Sequence, residues 1–174
     1  MLTPKSIVAS LIACSKRKDL CKGIQIHDHI LQKGFLRKDI YIGSALVGLY
    51  AKCGSLTRAQ EVFEQLPIRN VVTWSTLIMG YANYGHSIDA INCFEKMGLE
   101  GIHPNVVTFV CTLKACSNIG TIDKGQEIHS HMARGLVDQR VSTKNSLVDM
   151  YAKCGEIAKA QEVFDEILTR DVIS

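Results

Sequence analysis

Apolar residues recur along this chain with the 3.6-residue period of an amphipathic helix. Between Val71 and Asn105, a first apolar stripe follows spacings of three, one and three residues: Trp74, Leu77, Ile78 and Tyr81. Gly85 interrupts the pattern, and a second stripe follows: Ala90, Cys93, Phe94 and Met97. Gly101 and Pro104 then end it. The pattern predicts two helices joined at Gly85, and no convincing strand run accompanies them.

The two-helix pattern recurs because the chain is internally repeated. Ile40–Asn70 aligns without gaps on Val141–Asp171, and both segments contain the words YAKCG and AQEVF. The segments around Cys14 and Cys116 align in the same way. The chain therefore divides into five repeats, numbered here from one to five: Pro4–Asp39, Ile40–Asn70, Val71–Asn105, Val106–Arg140 and Val141–Asp171. Residues 172–174 resemble the start of a truncated sixth repeat.

Tandem helix pairs of this kind predict the fold class. A single pair cannot bury its apolar face, whereas stacking on the next pair does. We predict an all-α protein, an α-solenoid that winds as a right-handed superhelix of about five helix-turn-helix repeats. The last repeat has no capping repeat after it, and stopping just after Asp171 leaves an apolar helix face exposed, so we expect the chain to be a fragment of a longer array.

Composition narrows the environment of the protein. The chain has 174 residues, 47% of them hydrophobic, and a net charge of only +3. It lacks an apolar run of 18 residues, so we predict no membrane span and no membrane partner. Cysteines recur at matching positions on the apolar stripes, and we predict free, buried thiols in a reducing compartment: Cys14, Cys116, Cys53 and Cys154. No transit peptide is visible, because the basic segment at 1–20 aligns on an internal repeat.

Candidate chemistry is sparse. The pairs His27/His29 and His129/His131 could suggest a metal site, but residues two apart on a helix point about 200° from each other. We interpret them as structural repeat positions and expect no metal and no cofactor. The chain contains no nucleophile elbow, phosphate-binding glycine loop or catalytic dyad, so we predict that it is not an enzyme.

Binding along a groove remains, because each repeat can present the same positions to a linear ligand. The fifth residues of the repeats are Val8, Ser44, Ser75, Val110 and Asn145. The last residues, expected in the loops between repeats, are Asp39, Asn70, Asn105, Arg140 and Asp171. In three repeats both positions carry small hydrogen-bonding side chains that can read a base edge. The thirteenth residues Lys16, Lys52 and Lys153 could contact successive phosphates. The alternative is that Ser, Asn and Asp only cap helices and turns.

These segments resemble the pentatricopeptide repeat family, in the plant arrays that alternate long, short and standard repeats. VVTWSTLIMGYANYG at 71–85 looks like the start of a standard repeat, and TFVCTLKACSNIGTIDKGQEIHSHM at 108–132 looks like a long one. The segments 45–70 and 146–171 look like short repeats. The resemblance extends over nearly the whole chain, Pro4–Asp171.

The resemblance implies sequence-specific binding of single-stranded RNA in mitochondria or chloroplasts, with the mitochondrion favoured. Each repeat would read one nucleotide through its fifth and last residues, with the RNA running 5′ to 3′ along the chain. Ser44/Asn70 and Ser75/Asn105 would favour adenine, and Asn145/Asp171 would favour uracil. Val8/Asp39 and Val110/Arg140, in the long repeats, depart from the polar pairs. The implied core target is A-A-any-U, with apolar second residues wedging the bases: Tyr41, Val72 and Val107.

Arrays with this alternation usually act as specificity factors for cytidine-to-uridine editing of organelle transcripts. The resemblance therefore also implies a partner in trans, either a deaminase-domain protein or another editing factor, and a monomeric chain. Deamination itself cannot be assigned to these residues.

The rival interpretation is a scaffold for protein–protein interactions like the tetratricopeptide repeat, which shares the helical hairpin. Three features oppose it: Ile78 stands where that family has Gly, Met97 stands where it has Ala, and the repeat lengths vary instead of holding at 34. An enzymatic function would require a catalytic domain downstream.

Overall fold

The computed structural model describes residues 3–37, 39–135 and 141–171, apart from the side chains of residues 37 and 169–171. Within these ranges the chain forms helices and no strand, which confirms the predicted all-α class. A 3₁₀ turn spans Phe35–Arg37. The α-helices, in chain order, are α1 Pro4–Arg17, α2 Leu20–Gln32, α3 Ile40–Lys52, α4 Leu56–Gln65, α5 Val71–Asn83, α6 Ser87–Leu99, α7 Val106–Ile119, α8 Ile122–Arg134, α9 Val141–Lys153 and α10 Ile157–Asp171.

The odd-numbered helices begin at the first residues of the five repeats, and polar caps explain several of these starts. Asn70 and Asn105 each form a capping box with the threonine three residues on, Thr73 and Thr108. In such a box, two backbone N–H groups that the helix leaves unpaired receive partners reciprocally. Each box fixes where a repeat begins.

The chain divides into two compact bodies, Met1–Tyr84 and Gly85–Ser174, called here the N-terminal and C-terminal bodies. In the N-terminal body, α3 lies between α1 and α5, while α2 packs on α1 and α3, and α4 packs on α3 and α5. In the C-terminal body, α7 packs beside α9, α8 covers both, α6 covers α7 and α10 covers α9. In both bodies the first helices of neighbouring repeats therefore pack side by side.

The two helices of a short repeat are separated by a glycine in the left-handed conformation. Gly54 has φ 77° and Gly155 has φ 86°. The N–H of the next residue donates to the carbonyl of a tyrosine five residues back, Tyr50 or Tyr151, at 2.9 Å in each repeat. This hydrogen bond pairs a carbonyl at the helix end and turns the chain into the second helix.

A histidine–tyrosine pair joins each long repeat to the short repeat after it. Nδ1 of His27 lies 2.8 Å from the hydroxyl of Tyr50, and Nδ1 of His129 lies 2.9 Å from the hydroxyl of Tyr151. The rings meet edge-on with centroids 5.6 and 5.7 Å apart. His27 and His129 thus make structural contacts between neighbouring repeats. No group of three or more His, Cys, Asp or Glu in the described ranges could hold a metal ion.

The cysteines follow the prediction in part. All seven thiols are free, and Cys14 and Cys116 are fully buried. Cys53 and Cys154 are only half-buried, which corrects the expectation that they lie on a buried stripe. Each directly follows the last residue of a first helix, where the chain leaves the core. Burial raises the pKa of Cys93 and of Cys116 to about 11, so these thiols stay protonated at neutral pH.

Candidate nucleic-acid interface

Each first helix presents its second, fifth, ninth and thirteenth residues on one face, because spacings of three, four and four follow the helical period. In α3 these residues are Tyr41, Ser44, Gly48 and Lys52, all exposed or half-buried. The opposite face of α3 is buried and carries Leu46. We call this face the stripe of the helix; it is about 16 Å long at a rise of 1.5 Å per residue.

The same positions reach the surface in the other first helices, with one exception, Ser75. They are Lys5, Val8, Ile12 and Lys16 in α1; Val72, Ser75, Met79 and Asn83 in α5; Val107, Val110, Lys114 and Asn118 in α7; and Ser142, Asn145, Asp149 and Lys153 in α9.

Apolar side chains stand exposed at the second position in three successive repeats. Tyr41 is 72% exposed, Val72 53% and Val107 45%. Each lies in the first turn of its helix, beside the capping residue and one turn from the fifth position. Exposed apolar groups at one repeated position can stack against unpaired bases, as the predicted wedging role requires.

The fifth-position residues differ in exposure. Asn145 is exposed, whereas Val8, Ser44 and Val110 are half-buried. The Ser44 hydroxyl donates to the carbonyl of Ile40 at 2.9 Å. Ser75 is 6% exposed, which departs from the expectation that it faces the ligand. Its hydroxyl donates to the carbonyl of Val71, so this short side chain turns back on its own helix.

The last residues of repeats 1, 2 and 3 cap the next helix. Oδ1 of Asp39 accepts from the N–H of Tyr41 at 2.8 Å. Oδ1 of Asn70 accepts from the N–H of Thr73 at 2.9 Å. Oδ1 of Asn105 likewise accepts from the N–H of Thr108, in the first turn of α7, at 2.9 Å. The capping alternative is therefore realised. Because the cap holds the side-chain oxygen, it also fixes the orientation of the whole amide beside the second and fifth positions.

The remaining last-position residues are placed differently. Arg140 and Val172–Ser174 lie outside the described residues, as does the side chain of Asp171. The backbone of Asp171 ends α10, which corrects its expected place in a loop. The cause is Pro67, which makes the preceding Leu66 extended and ends α4 at Gln65, whereas Leu168 at the aligned position lets α10 continue.

The three predicted phosphate-contacting lysines are all exposed, but their surroundings differ. Nζ of Lys153 lies 2.9 Å from a carboxylate oxygen of Asp149, one turn earlier on the stripe. In α3 the corresponding residue is Gly48, so Lys52 has no carboxylate at this position. Lys16 has the apolar Ile12 there. An acidic neighbour lowers the attraction of Lys153 for a phosphate, so the lysines of the N-terminal body are the stronger candidates.

The ninth position of the stripe, which includes Lys114 and Asp149, was not among the residues predicted from the sequence. A signal was available, because residues four apart share a helix face and the position lies midway between the fifth and the thirteenth. Lys18, which aligns with Gly120 of the other long repeat, was not predicted either.

Family models identify the repeats. The PPR repeat family model matches residues 69–118, and a PPR repeat model matches 44–71 and 142–172. The chain belongs to the pentatricopeptide repeat family. This result favours the pentatricopeptide interpretation over the tetratricopeptide one.

Plant pentatricopeptide repeat proteins are similar to this chain over nearly its whole length. Pentatricopeptide repeat-containing protein At2g13600 of Arabidopsis thaliana is 38% identical over 100% of this chain and 25% of its own. The chloroplastic protein At4g18520 is 37% identical over 97% of this chain and 27% of its own. The mitochondrial protein At3g13770 is 37% identical over 94% of this chain and 26% of its own. The chain thus spans about a quarter of the length of these relatives.

Solved structures show the same fold. Maize PPR10 superposes with a TM-score of 0.75 at 21% identity, covering 97% of this chain and 25% of that one. The PPR domain of Arabidopsis thaliana protein-only RNase P 1, solved in complex with tRNA, has a TM-score of 0.75 at 19% identity, covering 95% and 88%. Both support the assignment of an all-α repeat solenoid. In the described ranges, no helix has the length and apolar character needed to cross a membrane.

Proposed function

We propose that this chain binds single-stranded RNA sequence-specifically, one nucleotide per repeat, along the stripes of its first helices. The observation that carries the proposal is the shared face of the second, fifth and thirteenth positions, which in repeat 2 joins an apolar, a reading and a cationic residue. Each can contact a different part of one nucleotide: the base face, the base edge and the phosphate.

The second repeat has the most complete set of these groups. Tyr41 offers an exposed ring for stacking, Ser44 lies one turn on, and Lys52 lies three turns on. Asn70, at the end of the repeat, is held by its cap and remains half-buried. We propose that Ser44 and Asn70 read adenine, while the corresponding residues of the fifth repeat, Asn145 and Asp171, read uracil.

Solved relatives support RNA as the ligand. Maize PPR10 has been solved in complex with an 18-nt psaJ RNA element; it superposes with a TM-score of 0.65 at 22% identity, covering 82% of this chain and 22% of that one. Relatives named chloroplastic or mitochondrial support an organelle location. We propose that the chain acts there in cytidine-to-uridine editing, as a monomer that selects the site for a deaminase-domain protein in trans.

The test is the exchange of one reading pair. Wild-type protein is titrated by fluorescence anisotropy against two RNAs that differ only in the base facing repeat 2, AANU and UANU. Wild type should prefer AANU, and Ser44→Asn with Asn70→Asp should prefer UANU. We expect about a tenfold change in the affinity ratio, or ~1.4 kcal/mol. Asp also caps helices well, so α5 should keep its start.

A matched control is Ser130→Asn on α8, a second helix. Its hydroxyl donates to the carbonyl of Gln126, four residues back, as the Ser44 hydroxyl does to Ile40. The control should leave the AANU preference unchanged. An unchanged preference in the double variant would reject the assigned reading pair, and equal wild-type affinity for both RNAs would reject sequence-specific binding by repeat 2.

A further inference from the structure

Lys18, the C-cap of α1, has an unusual backbone conformation. Among the described residues that carry a side chain, it alone has a positive φ, at 54°. The aligned residue of the other long repeat is Gly120, with φ 69°. Both positions make the same turn: the N–H of the following residue donates to the carbonyl of Cys14 at 2.9 Å, or of Cys116 at 3.2 Å. Glycine adopts this conformation without steric cost, whereas lysine is strained in it.

The side chain of Lys18 lines a groove of about 500 Å³ in the N-terminal body. The groove lies at the C-terminal ends of α1, α3 and α5, and its lining includes Lys16, Lys18 and Lys52 and no carboxylate. None of these three lysines forms an ion pair with a described residue. Three cations around one open groove repel one another and attract an anion.

Tyr84 lines the same groove. Its hydroxyl donates to the backbone carbonyl of Lys52 at 2.8 Å, and 44% of the residue remains exposed. Gly54 lies against it: a Cβ at Gly54 would come within 2.9 Å of the tyrosine ring. The ring is therefore held in place, with part of its surface open beside the lysines.

We propose that this groove binds backbone phosphates of the RNA at repeats 1 and 2, and that Lys18 supplies a cation that no other repeat has at this position. The inference rests on the proposed function. Two observations carry the inference. A strained lysine stands at a glycine position, and it is the third lysine that lines the groove. RNA is favoured over a free anion because Lys16 and Lys52 continue their stripes into the groove and Tyr84 offers a surface for a base.

The experiment measures how RNA affinity depends on salt for Lys18→Gly, using a single-stranded RNA that contains AANU. The variant removes one charge and restores the residue type of Gly120, so its melting temperature should be no lower than that of wild type. One lost phosphate contact should reduce the log–log salt slope by about 0.7. Lys18→Arg keeps the charge and should keep the slope.

Lys22→Gln on α2 is the charge-matched control, because Lys22 is exposed and does not line the groove. Its slope should stay close to that of wild type. If Lys18→Gly and Lys22→Gln have the same effect, the groove is not a phosphate site and the inference fails, although the proposed function stands. If wild type binds no RNA at low salt, the proposed function fails.

A second arm separates RNA phosphate from free phosphate. Inorganic phosphate is added at constant ionic strength to the wild-type complex. Phosphate is expected to displace no more RNA than chloride does at the same ionic strength. Displacement that occurs in wild type and is lost in Lys18→Gly would identify free phosphate as the ligand and overturn the assignment to RNA.

Discussion

Repeats 2 and 5 align without gaps, and they share core residues but differ at three of the four stripe positions. Both repeats have a set of buried core residues, called here the frame. Leu46 and Leu147 are buried at the same position of the frame, as are Tyr50 and Tyr151. Their stripes differ, because Ser44 and Gly48 correspond to Asn145 and Asp149, whereas the thirteenth residue is lysine in both. The comparison indicates that the fold depends on the copied frame, while the stripe is free to vary with the ligand.

The buried residues also vary between the two helices of the hairpin. In repeat 2, Gly43 packs against Leu66, whose side chain occupies the space that a Cβ at position 43 would need. In repeat 5 the aligned residue is Lys144, which is buried yet reaches Glu166 at 2.7 Å. A long aliphatic stem with a charged end can thus fill the space at an interface that faces solvent.

The largest expected effect comes from truncating one buried leucine of the frame in each of repeats 2 and 5. Leu46→Ala and Leu147→Ala should each lower the free energy of unfolding by about 2–5 kcal/mol, because each deletes a fully buried side chain. Urea denaturation measures the change, and Ile157→Ala, at a residue 64% exposed, is the control. A loss below 1 kcal/mol in one copy only would show that the two frames are not equivalent.

Tyr50→Phe and Tyr151→Phe should each cause a smaller loss in the free energy of unfolding. Each removes the hydroxyl that pairs with a histidine and leaves an imidazole nitrogen without that partner, at a cost of about 1–3 kcal/mol. Thermal denaturation provides the comparison with Tyr41→Phe, whose hydroxyl is on an exposed residue. Equal melting temperatures for all three variants would contradict the structural role of the His–Tyr pairs.

His27 makes stability depend on pH. Burial lowers the pKa of His27 below its ordinary value of 6.5, outweighing the opposing effect of Asp28, while Arg58 lowers it further. The unfolded chain then binds the proton more readily, so the free energy of unfolding should fall as pH drops from 7 through 6.5 towards the lower folded pKa. His27→Gln should flatten this part of the profile, and an unchanged profile would show that His27 does not contribute.

The smallest expected effect comes from exchanging the ninth stripe residue between repeats 2 and 5, which moves one negative charge from one repeat to the other. Gly48→Asp should give Lys52 the carboxylate that Lys153 has, and Asp149→Gly should remove it. A Cβ at Gly48 makes only an ordinary contact, 3.5 Å from Thr76, so the first change is tolerated. The salt slope of RNA binding should fall by up to about 0.7 in the first variant and rise by a similar amount in the second. Slopes that do not move in opposite directions would contradict the lysine assignment.

Local signals made the helical frame predictable from the sequence. Asn70 and Asn105 precede helices that begin on the next residue, and Gly54 and Gly155 separate the helices of a pair. Pro67 also indicates that α4 ends earlier than α10. The difference was not predicted, because the gapless alignment gave both repeats the same helix boundaries. Lys18 could likewise have been found by aligning it with Gly120.

Other features depend on contacts that the sequence does not encode locally. Ser75 occupies a stripe position yet is buried, because exposure depends on neighbouring side chains as well as on helical period. The partners of His27 and His129 became clear only once the packing of neighbouring repeats was known. The half-burial of Cys53 and Cys154 likewise depends on where each first helix leaves the core.

The most direct test of RNA recognition by repeats is a selection from a randomised pool of single-stranded RNA with the wild-type chain. Sequencing the bound RNA should show A, A, any base and U at four consecutive positions, read 5′ to 3′. A bound pool with the base composition of the input at every position would contradict the account.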